Sequence, residues 1–282
     1  MLTAGFRNNV RKVCAMMNPQ AVAGLPLWLS ALIILGLAVG GAVAIELAAR
    51  RLVPAGLRSD HNTVSGPIFS VIGTTYAVML AFVAMLAWEG FNKAEAVTDT
   101  EASLVENIYL LVDGLTGPEA TAMRQDIGSY AGAVVAQEWP AQAAGRAIAE
   151  NEPHLDRLTI TALHLRPGSV ADADVHTLLL GDLGALGSAR RERLFAARTP
   201  LPQILWIVLI AGGALTLGFA SFLGAPSLGM HLAMSSLLAI SGALILLAIV
   251  ALSNPFRGDF GVSAAPFEQV LLHIRTASAQ SG

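Results

Sequence analysis

The chain has 282 residues, 54% of them hydrophobic and only 13% charged, with a mean hydropathy of +0.61. Charged residues at about half the roughly 25% usual in soluble domains argue against a soluble fold, and a net charge of −3 leaves no basic footprint for nucleic acid. The single Cys14 excludes an intrachain disulfide, and no Cys/His cluster has zinc spacing, so neither a metal nor another cofactor is expected.

Four apolar segments organise the chain, in order Pro26–Ala49, Val64–Trp88, Ile204–Leu223 and Gly229–Ser253. Each reaches the length of about 20 residues that a helix needs to cross a hydrocarbon core roughly 30 Å thick. A soluble helix of this length would carry a polar stripe every three or four residues, and none is present. The spacing therefore predicts an all-α integral membrane protein with the lipid bilayer as its solvent. Its expected plan is four transmembrane helices, two and two, around a helical cytoplasmic domain.

In the first segment, Ala42-Val43-Ala44 resembles a signal-peptide cleavage site, but the apolar run is too long and starts too far in, so the segment is expected to be retained. Gly36 and Gly40 form a small-xxx-small pair suited to close helix contact. Glu46 is an intramembrane ionisable group and a functional candidate by default. It stands four residues before Arg50, and an i,i+4 ion pair is the simpler expectation.

The second segment carries no Asp, Glu, Lys or Arg and is the richest in small and hydroxyl residues. Asn62, Ser65, Gly66 and Pro67 open it. Proline suits a first helical turn, and the free amides there favour an anion. Further in, Ser70 and Thr74 share one face, while Phe69, Gly73 and Tyr76 share a neighbouring one. Helix packing would explain such residues. Alternatively one face lines a pore, with hydroxyls replacing lost water and Phe69 or Tyr76 forming a constriction. The pore-lining candidates are Asn62, Phe69, Ser70, Gly73, Thr74 and Tyr76.

The block Glu89–Pro200 holds nine Lys/Arg against sixteen Asp/Glu. Its acidic surface reads as a solvated face, or more sharply as a cation-attracting vestibule. Val97, Glu101, Leu104, Ile108, Leu111 and Leu115 step at helical spacing, with Glu101 the one interruption. This helix is expected to continue directly out of the second segment. Met123, Ile127, Tyr130 and Val134 form another, expected to stop at Trp139-Pro140. Leu155–Leu165 and Val170–Arg198 complete a bundle of about four helices. Glu138 beside Trp139 reads as ordinary helix-end chemistry.

The third and fourth segments read as scaffold. Gly212, Thr216, Ala220 and Gly224 repeat the small-residue spacing. His231 opens the fourth segment, and it and the other five histidines are expected to be structural or solvated. In the tail, Phe267, Val270, Leu271 and Ile274 predict an amphipathic helix docked on the bundle, anchored by Pro255-Phe256-Arg257-Gly258.

Lys and Arg near the segment ends set the expected orientation. Arg7, Arg11, Lys12, Lys93, Arg190, Arg191, Arg193, Arg198, Arg257 and Arg275 fall on one side, against Arg50, Arg51 and Arg58 on the other. This puts both termini and the central block in the cytoplasm of a cell with an inner membrane. The expected organisation is an N-terminal tail (1–25), two membrane helices (26–88), the helical cytoplasmic domain (89–200), two further membrane helices (201–253) and a cytoplasmic tail (254–282).

Asn62 through Gly66, Ile72-Gly73-Thr74-Thr75-Tyr76-Ala77, Leu80-Ala81-Phe82 and Trp88 form an ordered set of motifs. It continues with Glu101, Tyr130, Glu138-Trp139, Arg190, Arg193-Leu194, Leu201-Pro202, Trp206 and Pro255-Phe256-Arg257-Gly258. In this order, set against four membrane segments, the chain resembles the bacterial bestrophin-like membrane proteins, distant kin of the bestrophin anion channels. The resemblance spans about residues 25 to 275. It implies a homo-oligomer, pentameric in bestrophins, whose second membrane helix lines a hydrophobic neck and whose cytoplasmic domain extends the pore. No acidic cluster matches the calcium clasp of animal bestrophins, so calcium gating is not implied.

No G-x-S-x-G, H-E-x-x-H or Walker lysine is present, so an enzyme is not expected. The leading expectation is an oligomeric inner-membrane channel for small inorganic ions, anions such as chloride first. The acidic block and the arginines at the opposite mouth pull the ion sign in opposite directions. The alternative is a non-conducting membrane scaffold or sensor whose cytoplasmic helical domain binds a partner. A proton-coupled stator would need a carboxylate at mid-membrane, and Glu46 lies too near a segment end.

Overall fold

The computed structural model describes residues 25–52, 62–146, 148, 153–166, 168–199, 201–223 and 227–280. Arg7, Arg11, Lys12, Cys14, Arg58 and Gly224, named above, lie outside them, as does His61, one of the six histidines. The elements are α1 (Leu27–Leu52), α2 (Asn62–Asp113), α3 (Pro118–Ala133), a π-helical turn (Val134–Glu138), α4 (Trp139–Ala143), α5 (Pro153–His164), α6 (Val170–Arg198), α7 (Gln203–Ala220), α8 (Leu228–Leu252) and α9 (Ala265–Gln280). Among the described residues there is no strand. Among the described residues, four helical stretches are long and apolar enough to cross a membrane.

The expected continuity beyond Trp88 holds. α2 runs unbroken for 52 residues, and Gly90 does not interrupt it. Pro67 lies inside this helix rather than at its first position, because α2 begins at Asn62. So near the N-terminus its missing N–H removes only one early backbone bond. The expected stop at Trp139-Pro140 does not occur. The chain instead widens into the π-helical turn Val134–Glu138 and resumes as α4, with Pro140 in its first turn. The proline N–H is not needed there. The helix ends at Gly145, whose φ of 68° is the left-handed conformation that closes helices. A Cβ at this position would lie 2.1 Å from the Arg257 guanidinium.

The chain divides into two compact units, residues up to Glu89 with Leu201–Asn254, and Gly90–Pro200 with Pro255 onward. In the first unit α8 packs along α1, and α7 packs against both. Leu80, Val83 and Ala87 of α2 form a small core with Leu209 and Ile249. Much of the unit's remaining surface is large and apolar, including Trp28, Leu32, Val71, Phe82, Ile204 and Leu237. A soluble monomer seldom exposes so much contiguous apolar surface, whereas hydrocarbon solvates it without cost.

In the second unit one core joins Val105, Ile108 and Val112 of α2 with Met123, Ile127 and Tyr130 of α3, Leu158 of α5 and Leu179, Leu183 and Leu186 of α6. Phe267, Val270 and Ile274 of α9 enter the same core, so the amphipathic tail helix docks as its spacing predicts. The Pro255–Gly258 turn precedes it. Val262 N–H donates to the Pro255 carbonyl at 2.6 Å, and Phe256 packs edge-on to Trp139 with ring centroids 5.6 Å apart. Trp139 Nε1 donates to the Val262 carbonyl at 3.1 Å.

Phe256 therefore acts as the tail's anchor. Phe256→Ala leaves a cavity beside Trp139 and should cost about 3 kcal/mol, a fall in melting temperature of at least roughly 5 °C in detergent. An unchanged melting temperature would contradict the anchor.

Candidate functional site

Within the first unit, the membrane part of α2 presents three faces. Leu80, Val83 and Ala87 turn inward to the small core. Ile68, Val71, Val78 and Phe82 form a large apolar exposed face. Between them Pro67, Ser70, Thr74, Ala77 and Ala81 are also exposed, but they are small or hydroxyl-bearing. Lipid tails favour the second kind of face, and water or a closely approaching helix favours the third.

The six candidate residues divide between these surfaces. Phe69 stacks on Phe219 of α7, with ring centroids 6.3 Å apart and planes within 15°. Tyr76 lies flat against the same helix, where a Cβ on Gly212 would come within 2.7 Å of its ring. Gly212 is thus glycine because an aromatic ring occupies the space, and Phe69 and Tyr76 are engaged in packing within the chain. Gly73 borders that face, and a Cβ there would meet nothing within 4 Å. Ser70 Oγ is exposed and donates to the Gly66 carbonyl at 3.1 Å, as Thr75 Oγ1 does to Val71 at 2.9 Å. Thr74 is exposed, and its hydroxyl has no hydrogen bond within the chain among the described residues. Asn62 starts the helix. Gly36 and Gly40 also have nothing within 4 Å of an added Cβ, so their close-contact surface is unused within the chain.

A second polar constellation in this unit was only half legible. Glu46 is fully buried, and its Oε1 accepts from Arg50 Nε at 2.6 Å, the pair expected from the spacing. Its Oε2 faces His231 Nε2 of α8 at 3.3 Å. The same nitrogen lies 3.2 Å from the Ala220 carbonyl at the end of α7. The only two ionisable groups in segments one, three and four thus meet each other. A carboxylate in an apolar unit is costly unless paired, and the pairing ties α1 to α8.

In the second unit the resemblance motifs converge on one guanidinium. Arg193, with no exposure, donates from Nε to Glu101 Oε2 at 2.6 Å and from Nη2 to Glu101 Oε1 at 2.9 Å. It also reaches Glu138 Oε2 at 2.7 Å and Gln142 Oε1 at 3.2 Å. The Trp139 and Phe267 rings both lie beside it, with centroids 5.3 and 5.9 Å from its Cζ. Arg190 Nη2 pairs with the other Glu138 oxygen at 2.6 Å, and Tyr130 O–H donates to Glu101 Oε1 at 2.6 Å. Glu138 is therefore not the ordinary helix-end group that its place beside Trp139 suggested. The π-helical turn places it in the interior facing two arginines.

Burial alone would raise the Glu138 pKa, but the hydrogen bond from Arg190 and the charges of Arg193 and Arg190 outweigh it and hold it below the ordinary carboxylate value. Burial, followed by the charge of Glu101, pushes Tyr130 well above its usual range, so it stays a donor. Burial disfavours the charge on Arg193, yet the Glu101 and Glu138 carboxylates more than compensate and raise it. Neutralised within the unit, this cluster is a structural keystone with no open face for a ligand. Among the described residues no group of three His, Cys, Asp or Glu could hold a metal ion.

Long apolar helices whose exposed faces suit hydrocarbon define a helical polytopic membrane protein. The bestrophin-like domain family matches residues 36–267, and the chain belongs to the bestrophin-like family. Its fold is that of crystal structures of a bacterial bestrophin homologue from Klebsiella pneumoniae. A variant of that protein with an isoleucine-to-threonine substitution is 16% identical at a TM-score of 0.67, covering 87% of this chain and 99% of the other. A leucine-to-threonine variant is 13% identical at 0.66, covering 88% and 98%. No curated protein sequence matches the chain.

The keystone carries a pH prediction. A carboxylate with a depressed folded-state pKa contributes stability above its unfolded value, roughly 4.3, and that contribution is lost as pH falls through the lower folded value. Glu138→Gln should lower the melting temperature at pH 7 and flatten its decline below about pH 4. A variant with an unaltered acid profile would contradict the assignment. Arg193→Met should be more severe, because it leaves two buried carboxylates competing for Arg190. A cost of about 3–5 kcal/mol is expected, read as loss of helical circular dichroism at a much lower temperature.

Proposed function

We propose that this protein is a homo-oligomeric ion channel of the inner membrane, passing small anions such as chloride along an axis lined by the second membrane helix, α2. The observation that carries the reading is Thr74. It sits mid-way along the apolar part of α2, exposed and with its hydroxyl making no hydrogen bond in its own chain among the described residues, on a face of small and hydroxyl residues distinct from the bulky lipid-suited face. A hydroxyl facing hydrocarbon loses its bond to water, whereas one facing a wetted axis keeps it.

On this reading Ser70 and Thr74 face the axis, Gly73 lets the helices of neighbouring copies approach, and Asn62 sits at one mouth. Phe69 and Tyr76 hold the lining helix against α7 and set its rotation. Membership of the bestrophin-like family supports a channel, and the resemblance to bestrophins supports a pentamer. The Lys/Arg distribution supports cytoplasmic termini and a cytoplasmic second unit. That count is weaker than the sequence suggests, since Arg190 and Arg193 are neutralised by Glu138 and Glu101.

The test is Thr74→Trp in purified protein reconstituted into liposomes. Flux should fall at least roughly tenfold with oligomeric state unchanged, as a bulky apolar ring closes a narrow pore by dewetting. Undiminished flux would exclude this face from the path. Ile68→Trp, on the bulky face, should leave flux nearly unaltered.

A further inference from the structure

Among the described residues, no side-chain hydrogen bond ties residues 65–88 of α2 to another helix. Ser70 and Thr75 bond back to their own helix, and the hydroxyls of Thr74 and Tyr76 make no hydrogen bond. Shape therefore sets the rotation of this stretch. Towards Trp88 the shape is a buried aliphatic core, Leu80, Val83 and Ala87 with Leu209 and Ile249. Towards the start of the helix it is two aromatic rings set against α7, Phe69 on Phe219 and Tyr76 on Gly212 and Gly213.

The two contacts stand in register. Phe69 and Tyr76 are seven residues apart going up α2, and Phe219 and Gly212 are seven apart going down α7, so the two helices run antiparallel. Seven residues fall within about 20° of two full turns, so both rings project from one side of α2. Thr74 precedes Tyr76 by two residues at about 100° each, which puts it on nearly the opposite side. Whatever seats Tyr76 against α7 turns Thr74 away from it.

The geometry points to Gly212 and Gly213 as positioning residues for the conduction path, two consecutive places on α7 whose missing side chains fix which face of α2 meets the axis. This role rests on α2 being the lining helix, and it adds that a helix off the path determines what the path exposes. Each glycine accommodates a different part of the tyrosine. A Cβ at 212 would lie 2.7 Å from the ring carbon Cδ2 and 2.9 Å from Cε2, whereas a Cβ at 213 would lie 2.9 Å from the hydroxyl oxygen and 3.4 Å from Cζ. Carbon atoms in ordinary contact are about 3.5–4.0 Å apart, so alanine at 212 must displace the ring by roughly 1 Å. Alanine at 213 meets chiefly the oxygen. Neither glycine has a positive φ, so the space they leave for the ring, and no special backbone conformation, is what distinguishes them.

The experiment uses the full-length protein in liposomes, with Cys14→Ser and Thr74→Cys leaving a single thiol at position 74, and reads its rate of modification by a water-soluble methanethiosulfonate. The parent should react readily, as a thiol on a wetted axis does. Gly212→Ala should slow the reaction at least roughly fivefold by turning the thiol out of water, and adding Tyr76→Phe should not relieve it, because the clash is with ring carbons. Gly213→Ala should slow it at least roughly twofold. Gly213→Ala/Tyr76→Phe should return the rate to the parent's, because the atom removed is the one in the way. Gly218→Ala, where a Cβ meets nothing within 4 Å, should leave the rate unchanged. A general loss of packing would not be relieved by deleting one oxygen, so the Gly213 pair decides the matter even if Gly212→Ala folds poorly. Equal rates in the parent and the folded alanine variants would overturn the positioning role and leave the lining role of α2 standing. An unreactive thiol in folded, oligomeric parent would overturn the lining role, and the positioning role with it.

Discussion

A guanidinium with no route to water dictates how the second unit is built. Arg193 cannot be neutralised by losing its proton, so burial is tolerable only if carboxylates and polar acceptors surround it. Glu101 comes from α2, Glu138 from the π-helical turn, Gln142 from α4, and the adjacent rings from α4 and α9. Four separate stretches of chain must therefore arrive together. The π-helical turn becomes intelligible in this light: one extra residue per turn swings Glu138 inward and lets Pro140 follow without breaking the helix. An apolar core alone would accept several helix registers; a fork of charge-assisted bonds selects among them, a specifying role that buried ion pairs fill in some systems.

The membrane unit solves a smaller version of the same problem. Glu46 and His231 are dispersed in sequence, yet the fold brings the carboxylate and the imidazole within 3.3 Å of each other in a surrounding without water. Arg50 at the helix end completes the pairing from the side where a long stem can reach the interface. The Ala220 carbonyl at the end of α7, which also accepts from the Leu223 N–H, joins them. Polar groups here hold helices together where apolar burial gives little net drive between helices solvated by lipid.

The membrane helices were readable because hydrophobic length is a one-dimensional signal, and α1, α2, α7 and α8 each start within three residues of the expected segment. The tail helix was readable for a similar reason, since Phe267, Val270 and Ile274 repeat at helical spacing and all enter the core. Glu101 was visible as an interruption in an apolar register, and that interruption was the clue to a buried charge. Its partners could not be found by spacing, as Arg193 is 92 residues away. Glu138 was misread because proline next to tryptophan resembles a helix stop, while the π-helical turn that carries it inward has no sequence signature. Among the candidate lining residues, sequence could group Phe69 with Tyr76 and Ser70 with Thr74. Only the contact with Gly212 and Phe219 distinguishes a packed face from a free one.

Conduction is the central claim, and the most direct measurement is ion flux through wild-type protein in liposomes, with chloride and potassium gradients imposed separately. The account predicts chloride flux exceeding potassium flux from protein that is folded and oligomeric. Flux of potassium in preference to chloride would keep the pore and contradict its anion selectivity. Absence of flux for both ions would contradict conduction and favour a membrane scaffold or sensor.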